Sequence, residues 1–427
     1  MKYMSIHEAM KKGTGKVAIR GWVYRERGSN KVRFLIIRDS TNIIQCVIKP
    51  DNQCWEESQK TPIETSVELE GVIKKDDRAP TGYEIAIETI KIIGESPIYP
   101  ITKDQSPEFL LDNRHLWLRS RKLTAVMKVR NTVLQAFRNF YLNQGYFEFP
   151  PPILQPSQSE GGATLFEVKY YKEKTYLTQS WQLYAEAAIF SLEKLFCISP
   201  CFRAETSKTS RHLSEFLMAE MEAAWMDLPG LLKSAEECVA FIVQEVVKNN
   251  PEELKLLDQD INKLKKIKVP FSRITYTEAL KILKDKEKMN VPWGKDLRTI
   301  EEDKLMNHYD KPLIVTHYPK EIMAFYKPRD SKDPKTALCF DMLAPEGYGE
   351  LMGGSQRDTD IPALKQSLKD MGENPKDYEW YLDTRKYGSV PHAGYGLGVE
   401  RVIAWICKLD NVKDAVPFPR TPLRWKP

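Results

Sequence analysis

One segment of the chain, CFRAETSKTSRHLSEFLMAEME at 201–222, combines arginine, glutamate and phenylalanine in a spacing that could bind a nucleotide. Arg203 and Glu205 are two positions apart, so a strand would present them on one face. A basic loop follows, and then a second predicted strand that carries Phe216, Glu220 and Glu222. Arginine is well suited to phosphate, and glutamate could accept a hydrogen bond from a base amine. The segment predicts a nucleotide-binding hairpin, although Arg and Glu could equally form only a cross-strand ion pair.

A second segment, FDMLAPEGYGELMGGSQRD, carries two carboxylates that a turn could bring together. Asp341 precedes the predicted turn and Glu350 follows it, so both could bind one hard cation such as Mg²⁺. Gly353 allows the backbone to approach a ligand, and Arg357 follows on the same predicted strand. The 6 histidines show neither HxxxH nor HxH spacing, so any metal chemistry is expected to rely on carboxylates.

A glycine-rich segment, GYGLGVER at 394–401, superficially matches a phosphate loop. It lacks the strand–loop–helix unit and the later acidic residue of a dinucleotide site. Its glycines, including Gly398, are expected to let a strand approach a flat ligand, with Arg401 at the start of the helix that follows. Close packing without a ligand is the alternative.

A fourth segment, TYLTQSWQLYAEA at 175–187, places polar residues at a predicted strand-to-helix junction. Ser180 and Gln182 could bind a substrate there. They could equally cap the helix, since hydroxyl and amide side chains satisfy free backbone N–H groups at such positions.

The composition limits the classes of protein to which the chain could belong. Its 427 residues predict two or three domains, and 42% hydrophobic with 29% charged residues is typical of globular chains. No apolar stretch is long enough to span a membrane, and the N-terminus lacks the apolar core of a secretion signal, so no membrane association is expected. The 7 scattered cysteines indicate reduced thiols in a cytoplasmic protein.

The N-terminal region predicts a small barrel with a basic surface. Residues 1–49 contain 11 Lys and Arg against 3 Asp and Glu, whereas residues 50–100 contain 5 against 11. Such asymmetry suits a polyanion such as nucleic acid, although a solvated face would look the same. Five short alternating strands up to about residue 95 predict a five-stranded barrel of the oligonucleotide-binding (OB) type, with an unrelated β-sandwich as the alternative.

The remaining chain predicts an α+β domain on an antiparallel sheet flanked by helices. Residues 1–97 would form the barrel, residues 98–120 a proline-bearing linker, and residues 121–427 the second domain. A helix with one apolar face is expected from about Leu123 to Asn143, and a helix-rich insert at about 229–289. The later strands are grouped without regular helix alternation, which argues against a doubly wound parallel sheet.

These segments in this order resemble the class II aminoacyl-tRNA synthetases, in the branch whose members carry an N-terminal anticodon-binding barrel (aspartyl, asparaginyl and lysyl). NQGYFEFPPPIL matches the first family motif, with Pro152 at the proline position. FRAE…RHLSEF matches the second motif and GYGLGVER the third. The resemblance covers essentially the whole chain.

The resemblance implies that an amino acid carboxylate attacks the α-phosphate of ATP, and that tRNA then takes the acyl group. Arg203, Arg401 and Glu350 would be the catalytic residues, with Arg203 on the α-phosphate. Asp341 and Glu350 would hold Mg²⁺. The residues expected to bind ATP are Arg203, Glu205, Arg211, His212, Leu213, Phe216, Glu350, Gly398 and Arg401.

The same resemblance points to asparagine as the amino acid. Aspartate enzymes carry a lysine where this chain has Ala185, so a substrate carboxylate would have only Arg357 as a partner. The segments LTQSWQLYAEAAIF and LMGGSQR also resemble the corresponding segments of archaeal-type asparaginyl-tRNA synthetases. An aspartyl enzyme of relaxed specificity, an asparagine-forming adenylating relative and an inactive RNA-binding paralogue are the alternatives. The expected amino acid site comprises Glu160, Ser180, Gln182, Ala185, Glu220, Gly353 and Arg357.

The resemblance also implies partners. Phe34 and Gln45 match positions that stack on and hydrogen-bond to the central anticodon base of tRNA(Asn), and Arg25 and Arg27 would meet the RNA backbone. A homodimer is expected through the segment from about Val126 to Leu154, where separation of the subunits would expose the apolar helix face. An ordinary core role for Phe34 is the alternative, and Phe34 is in phase with Ile36 along the predicted strand.

Overall fold

The computed structural model describes residues 2–156, 159, 165–206 and 209–426. The chain divides into two compact units, Met1–Leu110 and Leu111–Pro427. The boundary between them lies within the segment that the sequence predicts as a linker. No helix of the described part of the chain is both long and apolar enough to cross a membrane.

The first unit is a closed five-stranded barrel, as the sequence predicts. Its strands follow the order β1-β2-β3-β5-β4. Alternate residues point inward because successive side chains of a strand point to opposite faces. Val17, Ile19, Leu35, Ile37 and Ile44 are almost fully buried in its core. The elements are α1 (Ile6–Lys12), β1 (Gly15–Ser29), β2 (Val32–Arg38), β3 (Ile43–Ile48), α2 (Trp55–Ser58), β4 (Ser66–Lys75) and β5 (Tyr83–Gly94).

The second unit is built on an eight-stranded, mainly antiparallel sheet in the order β12-β13-β14-β15-β16-β11-β10-β6. A second sheet has the order β7-β9-β8. The α+β prediction is therefore confirmed. The strands are β6 (Phe147–Glu148), β7 (Leu154–Gln155), β8 (Glu167–Tyr170), β9 (Glu173–Leu177), β10 (Lys194–Phe202), β11 (Glu215–Ala224), β12 (Ser272–Thr275), β13 (Leu313–Thr316), β14 (Cys339–Ala344), β15 (Gly349–Gln356) and β16 (His392–Gly398).

Helices cover the large sheet, and α3 spans the boundary between the units. The segment at about 229–289 contains α7 to α10, but it also contributes β12 to the main sheet. The helices are α3 (Pro107–Asp112), α4 (Arg114–Trp117), α5 (Arg121–Leu142), α6 (Gln182–Leu192), α7 (Leu228–Asn249), α8 (Pro251–Leu256), α9 (Ile261–Lys265), α10 (Tyr276–Glu287), α11 (Thr299–Met306), α12 (Ile361–Asp370), α13 (Glu379–Lys386) and α14 (Val399–Ile406).

The apolar face of α5 packs on its own subunit. Val126, Val129, Val133 and Phe137 recur at spacings of three and four and are at most 1% exposed within the main core. The expectation that separating two subunits would expose this face is therefore wrong. Exposed apolar side chains lie at the last residue of the helix, Leu142, and beyond it at Phe147, Ile153 and Leu154.

One buried ion pair connects three elements beneath the site. Glu400, in the first turn of α14, accepts from Nη1 of Arg130 on α5 at 2.8 Å, and its second oxygen accepts from the backbone N–H of Leu217 on β11 at 3.0 Å. Arg130 also donates to the carbonyl of Ala415 at 3.0 Å. A buried carboxylate needs such partners, because its desolvation is otherwise uncompensated. Glu400 therefore helps to hold α14 in place.

Glu400→Ala should destabilise the second unit by about 3 kcal/mol, since Arg130 would remain buried without its counter-ion. Chemical denaturation followed by circular dichroism measures this. Lys174→Ala provides the control, because Lys174 and its partner Glu167 are largely exposed and such pairs contribute less than about 1 kcal/mol. Equal shifts for the two variants would contradict the assignment.

Candidate active site

The floor of a cleft is formed by β11 and β16 at the centre of the large sheet. On β11, residues Phe216, Met218, Glu220 and Glu222 alternate with the intervening residues and so share one face. The last three of them pair across the ladder with glycines of β16, in order Gly398, Gly396 and Gly394.

These glycines do not all serve the same purpose. A Cβ atom on Gly394 would lie 2.0 Å from Oε2 of Glu222, and one on Gly396 would lie 2.5 Å from Cε of Met218. At Gly398 the nearest atom would be 3.8 Å away. Gly394 therefore admits the side chain of Glu222, whereas Gly396 and Gly398 both line the cavity in which the flat ligand suggested by the sequence could lie.

The nucleotide half of the cleft is a cavity of about 750 Å³. All nine residues that the resemblance assigned to ATP line it. A second cavity of about 640 Å³ adjoins it, and both are lined by Arg203 and Glu350. The two cavities are thus halves of one cleft, with Arg203 and Glu350 at their junction.

Arg203 lies just past the end of a strand. The sequence predicts a strand that carries both Arg203 and Glu205, but β10 ends at Phe202. The backbone N–H of Arg203 still donates to the carbonyl of Ser214 at 3.0 Å, which fixes its position against the end of β11. Its guanidinium lies 5.4 Å from the centroid of the Phe216 ring, a cation–π contact.

Arg401 lies on the other side of the nucleotide cavity, in the first turn of α14. Its Nη1 donates to the backbone carbonyl of Glu350 at 2.7 Å and lies 3.5 Å from Oε2 of that residue. Glu350 on β15 and Arg401 on α14, both candidate catalytic residues, are therefore in direct contact.

The loop between β10 and β11 is anchored through Arg211. Its Nη2 donates to Oδ1 of Asp303 at 2.7 Å and to the backbone carbonyl of Gly347, while Nη1 lies 3.7 Å from Glu302 on α11. Burial and the charge of Glu350 raise the pKa of Glu302 to about 7. For the neighbouring His212, burial and nearby arginines lower the pKa, which favours the neutral ring. Sequence reasoning did not identify the residues of α11.

Asp341 and Glu350 face the same side of the sheet because of a β-bulge. Asp341 pairs with Gly353 and Leu343 with Glu350, which leaves one extra residue on β15 between the two pairs. A Cβ atom on Gly353 would lie 2.9 Å from Oε1 of Glu350 and 3.2 Å from Oδ1 of Asp341. The two carboxylates therefore converge above this glycine. Burial and the charge of Glu350 hold the pKa of Asp341 well above its usual range.

The two converging carboxylates match the donor set of Mg²⁺ on nucleotide phosphates. Mg²⁺ commonly takes one or two protein carboxylates and completes its shell with phosphate oxygens and water. No group of three or more His, Cys, Asp or Glu side chains within the described residues is arranged to hold a metal without such help.

The amino acid half of the cleft begins at the N-terminus of α6. The hydroxyl of Ser180 donates to Oε1 of Glu220 at 2.5 Å and accepts from the backbone N–H of Gln182 at 3.1 Å. Oε2 of Glu220 accepts from the N–H of Trp181 at 3.2 Å. Ser180 therefore satisfies a backbone group at the helix start and also fixes a buried carboxylate of the cleft.

The far wall of this half contains a buried ion pair. Arg357 donates to Glu222 from Nε at 3.0 Å and from Nη2 at 2.8 Å, which is a two-point contact. Burial opposes the charge on Arg357, but the attraction of Glu222 outweighs it and raises the pKa of Arg357. The ring of Tyr326 lies 5.2 Å from the guanidinium. The sequence placed Glu222 on the strand but did not identify it as the partner of Arg357.

One expected residue of the described part of the chain, Ala185, is not brought into the cleft. Ala185 is fully buried with Trp181 and Ile189 in a small apolar cluster and does not line the second cavity. Glu160 lies outside the described residues. The residue after Ala185, Glu186, is a functional candidate that sequence reasoning missed. The only signal for it was that Glu186 is the single charged residue of α6.

A second group of expected residues lies on one outer face of the barrel. Arg27 pairs with Phe34 across β1 and β2, and its guanidinium lies 5.1 Å from the centroid of the Phe34 ring. Nη2 of Arg27 donates to Gln45 at 3.0 Å, and Gln45 donates to Glu84 at 2.7 Å. Phe34 is half-buried and does not belong to the barrel core. Arg25 is exposed on the same face.

Comparison with known proteins agrees with this geometry. Residues 106–422 match the family described as tRNA synthetases class II (D, K and N), and residues 17–93 match the OB-fold nucleic acid binding domain. The chain therefore belongs to the class II tRNA synthetases of this group.

Individual relatives are similar over almost the whole chain. The chain is 51% identical to an asparagine–tRNA ligase of Thermococcus kodakarensis over 415 residues, 96% of each protein. It is 49% identical to the corresponding ligase of Pyrococcus furiosus over 418 residues, again 96% of each. The crystal structure of asparaginyl-tRNA synthetase from Pyrococcus horikoshii complexed with asparaginyl-adenylate matches with a TM-score of 0.96 at 46% identity, covering 100% of both chains.

Proposed function

We propose that the chain is an asparagine–tRNA ligase, which activates L-asparagine with ATP and transfers it to tRNA(Asn). Relatives with this activity match it at 45–51% identity over 96% of its length. The observation that carries the choice of asparagine is the buried pair of Arg357 and Glu222. A carboxamide can accept from Arg357 through its oxygen and donate to Glu222 through its nitrogen, whereas a carboxylate has no proton for Glu222.

The first step needs no protein nucleophile. The carboxylate of asparagine attacks the α-phosphate, the bond to the β-phosphate breaks, and pyrophosphate leaves. Such catalysis depends on positioning and on neutralising the charge that builds on phosphate oxygens. Arg203 would supply the positive charge that neutralises the α-phosphate oxygens, because it lies at the junction of the nucleotide and amino acid halves.

The adenine ring of the nucleotide would lie between Phe216 and Arg401. Phe216 offers an aromatic face for adenine on β11, and Glu205 would accept from its amine. Arg401 would cover the other face of the ring and reach the γ-phosphate. This placement is supported by the cavity that these three side chains line together. Arg211, His212 and Leu213 would contact the same nucleotide from the loop.

Asp341 and Glu350 would hold Mg²⁺ against the phosphates. When bound, the ion supplies positive charge where the leaving pyrophosphate develops its negative charge. The support is the convergence of the two carboxylates above Gly353, where no side chain intervenes.

Glu220 would bind the ammonium group of the amino acid. Its carboxylate is buried at the start of α6 and is oriented by Ser180 and by the backbone of Trp181. Gln182 and Gly353 line the same cavity and would contact the main chain. Glu160 belongs to this group on the basis of its sequence motif alone.

The barrel would bind the anticodon. Phe34 presents an aromatic surface beside Gln45, an arrangement that single-stranded RNA uses for stacking and for reading one base edge. Arg27 contacts both side chains, so the three form one surface. Arg25 would meet the RNA backbone.

A homodimer is proposed through the edge of the large sheet. β6 is the terminal strand of that sheet, and Phe147 on it is 55% exposed. Ile153 and Leu154 add further exposed apolar surface after the three prolines. Exposed apolar residues on an edge strand are typical of an interface. The cytoplasm is the proposed compartment, because all seven cysteines are free thiols.

Asparagine should support ATP–pyrophosphate exchange with a kcat/KM at least about 100-fold above that of aspartate, because a site built for a hydrogen-bond donor rejects an analogue that lacks it. Radiolabelled pyrophosphate incorporation with each amino acid measures the ratio. If aspartate supports exchange as well as asparagine does, the proposed substrate is wrong.

Arg203→Ala should lower kcat for asparagine activation by about 100-fold or more, the scale of losing one group that contacts the charge of the transition state. Steady-state exchange kinetics separate kcat from KM. Arg329→Ala is the control, since Arg329 is an exposed arginine paired with Glu321. A change confined to the KM for ATP would assign Arg203 to ground-state binding.

Phe34→Ala and Gln45→Ala should each raise the KM for tRNA by about tenfold or more and leave pyrophosphate exchange nearly unchanged, because loss of stacking on one base weakens binding by about 1–3 kcal/mol. Aminoacylation and exchange are measured in parallel, with Glu57→Ala on α2 as the control. Loss of exchange as well would mean that the barrel variants are misfolded.

Phe147→Asp should shift the protein toward monomer, because a charge at an apolar interface is desolvated without a partner. Sedimentation velocity at micromolar concentration measures the distribution of species. Leu256→Asp, at an exposed position on α8, should have no such effect. A wild-type protein that sediments as an active monomer would rule out the dimer.

A further inference from the structure

Behind the amino acid half of the cleft, the carboxylate of Glu186 is the centre of a buried polar network. The side chain is fully buried on α6. Oε1 accepts from Nε2 of Gln182 at 2.8 Å, within the same helix. Oε2 accepts from the hydroxyl of Tyr381 at 2.8 Å and lies 3.1 Å from Nε2 of His392. Arg385 donates to the same oxygen.

The partners of Glu186 come from two other elements. Tyr381 and Arg385 are four residues apart on α13, so they share one face of that helix, and Nη2 of Arg385 donates to the Tyr381 hydroxyl at 2.7 Å. His392 opens β16, and its Nδ1 lies 2.8 Å from the carbonyl of Val390. The carboxylate therefore joins α6, α13 and β16.

The network reaches the substrate pocket through Arg357. Nε of Arg357 lies 3.8 Å from Oε1 of Glu186, in addition to its two-point contact with Glu222. Two buried carboxylates thus face two buried arginines, Arg357 and Arg385. His392 lies between the carbonyl of Val390 and the carboxylate of Glu186.

We infer that Glu186 is a positioning residue that sets the specificity for asparagine over aspartate, a role that rests on the proposed function. Its carboxylate is the counter-ion of Arg385 and, together with Glu222, of Arg357. Neither arginine is therefore left to act as the counter-ion of a substrate carboxylate. A neutral carboxamide needs no counter-ion and is accepted. Glu186 reaches the substrate only through Arg357 and Gln182.

The charge of Glu186 is a fixed property at neutral pH. Burial opposes ionisation, but the attraction of Arg385 and the contacts with His392 and Arg357 outweigh it and lower the pKa of Glu186. The carboxylate therefore remains ionised near neutrality, and the preference for asparagine does not depend on a titration of this group.

The test compares kcat/KM for asparagine and for aspartate in pyrophosphate exchange with the full-length enzyme. Glu186→Gln keeps the size of the side chain and removes the charge, and it should lower the asparagine-to-aspartate ratio by about tenfold. Glu186→Asp keeps the charge, and its ratio should stay within about threefold of the wild-type ratio even where overall activity falls.

Arg385→Gln changes the net charge of the network in the opposite direction, because it removes a positive charge. It leaves excess negative charge in the network, so the ratio should rise, with the loss falling on aspartate. A merely structural role would lower activity toward both amino acids alike and move the ratio in neither direction. Thermal unfolding of each variant identifies those that fold, and Arg385→Gln decides the question if Glu186→Gln does not.

Three results would overturn the inference: an unchanged ratio in Glu186→Gln, an equal loss of selectivity in Glu186→Asp, or an unchanged or lowered ratio in Arg385→Gln. Failure of the proposed function is a different outcome. In that case the wild-type enzyme would show no asparagine-dependent exchange, whereas failure of the inference leaves the wild-type preference intact.

Discussion

A positive charge buried at the end of β15 is the constraint around which the amino acid half of the cleft is organised. Arg357 is 4% exposed, and an arginine at such a position must be compensated by a partner of good geometry. Glu222 provides two hydrogen bonds from β11. Glu222 in turn occupies the volume in which a Cβ atom of residue 394 would lie, so β16 must have glycine there. One ion pair thus determines residues on three neighbouring strands.

The same sheet connects this half to the nucleotide. Glu220 lies two residues before Glu222 on β11, and Phe216 lies four residues further toward the loop, so one strand face runs from the proposed amino acid site to the proposed base site. Arg203 and Glu350 lie where the two cavities meet. This order matches the order of atoms in an aminoacyl-adenylate, in which the phosphate lies between the amino acid and the nucleoside.

The parts of the molecule that sequence could predict are those with local signals. Alternating strands predicted the barrel, three- and four-residue spacings predicted α5, and short motifs assigned the residues of the nucleotide cavity. Contacts between distant segments could not be predicted in this way. Glu186 depends on Tyr381 and Arg385, about 200 residues later, and nothing in its own helix indicates those partners. Ala185, which the comparison with aspartate enzymes singled out, lies in an apolar cluster next to it.

The dimer expectation shows a related limit. An apolar helix face predicts burial, but sequence alone does not say whether the same chain or a second chain covers it. In α5 the same chain does so, through its packing on the main core.

The extra residue in β15 allows Glu350 and Gly353, which are an odd number of residues apart, to lie on the same face of the sheet. Without the bulge, Glu350 and Gly353 would point to opposite faces, since they are an odd number of residues apart. With the bulge, even-numbered residues such as Glu350 face the cleft on the turn side of β15, and odd-numbered residues such as Gly353 face it on the Arg357 side. Deleting one residue between Glu350 and Gly353 would remove the bulge and leave the two residues an even number apart, so Leu343 could still pair with Glu350 and Asp341 with Gly353. Glu350 would then still face Asp341. The strand thus carries one residue more than its pairing with β14 requires, and the bulge is the local feature that makes this spacing compatible with two converging carboxylates.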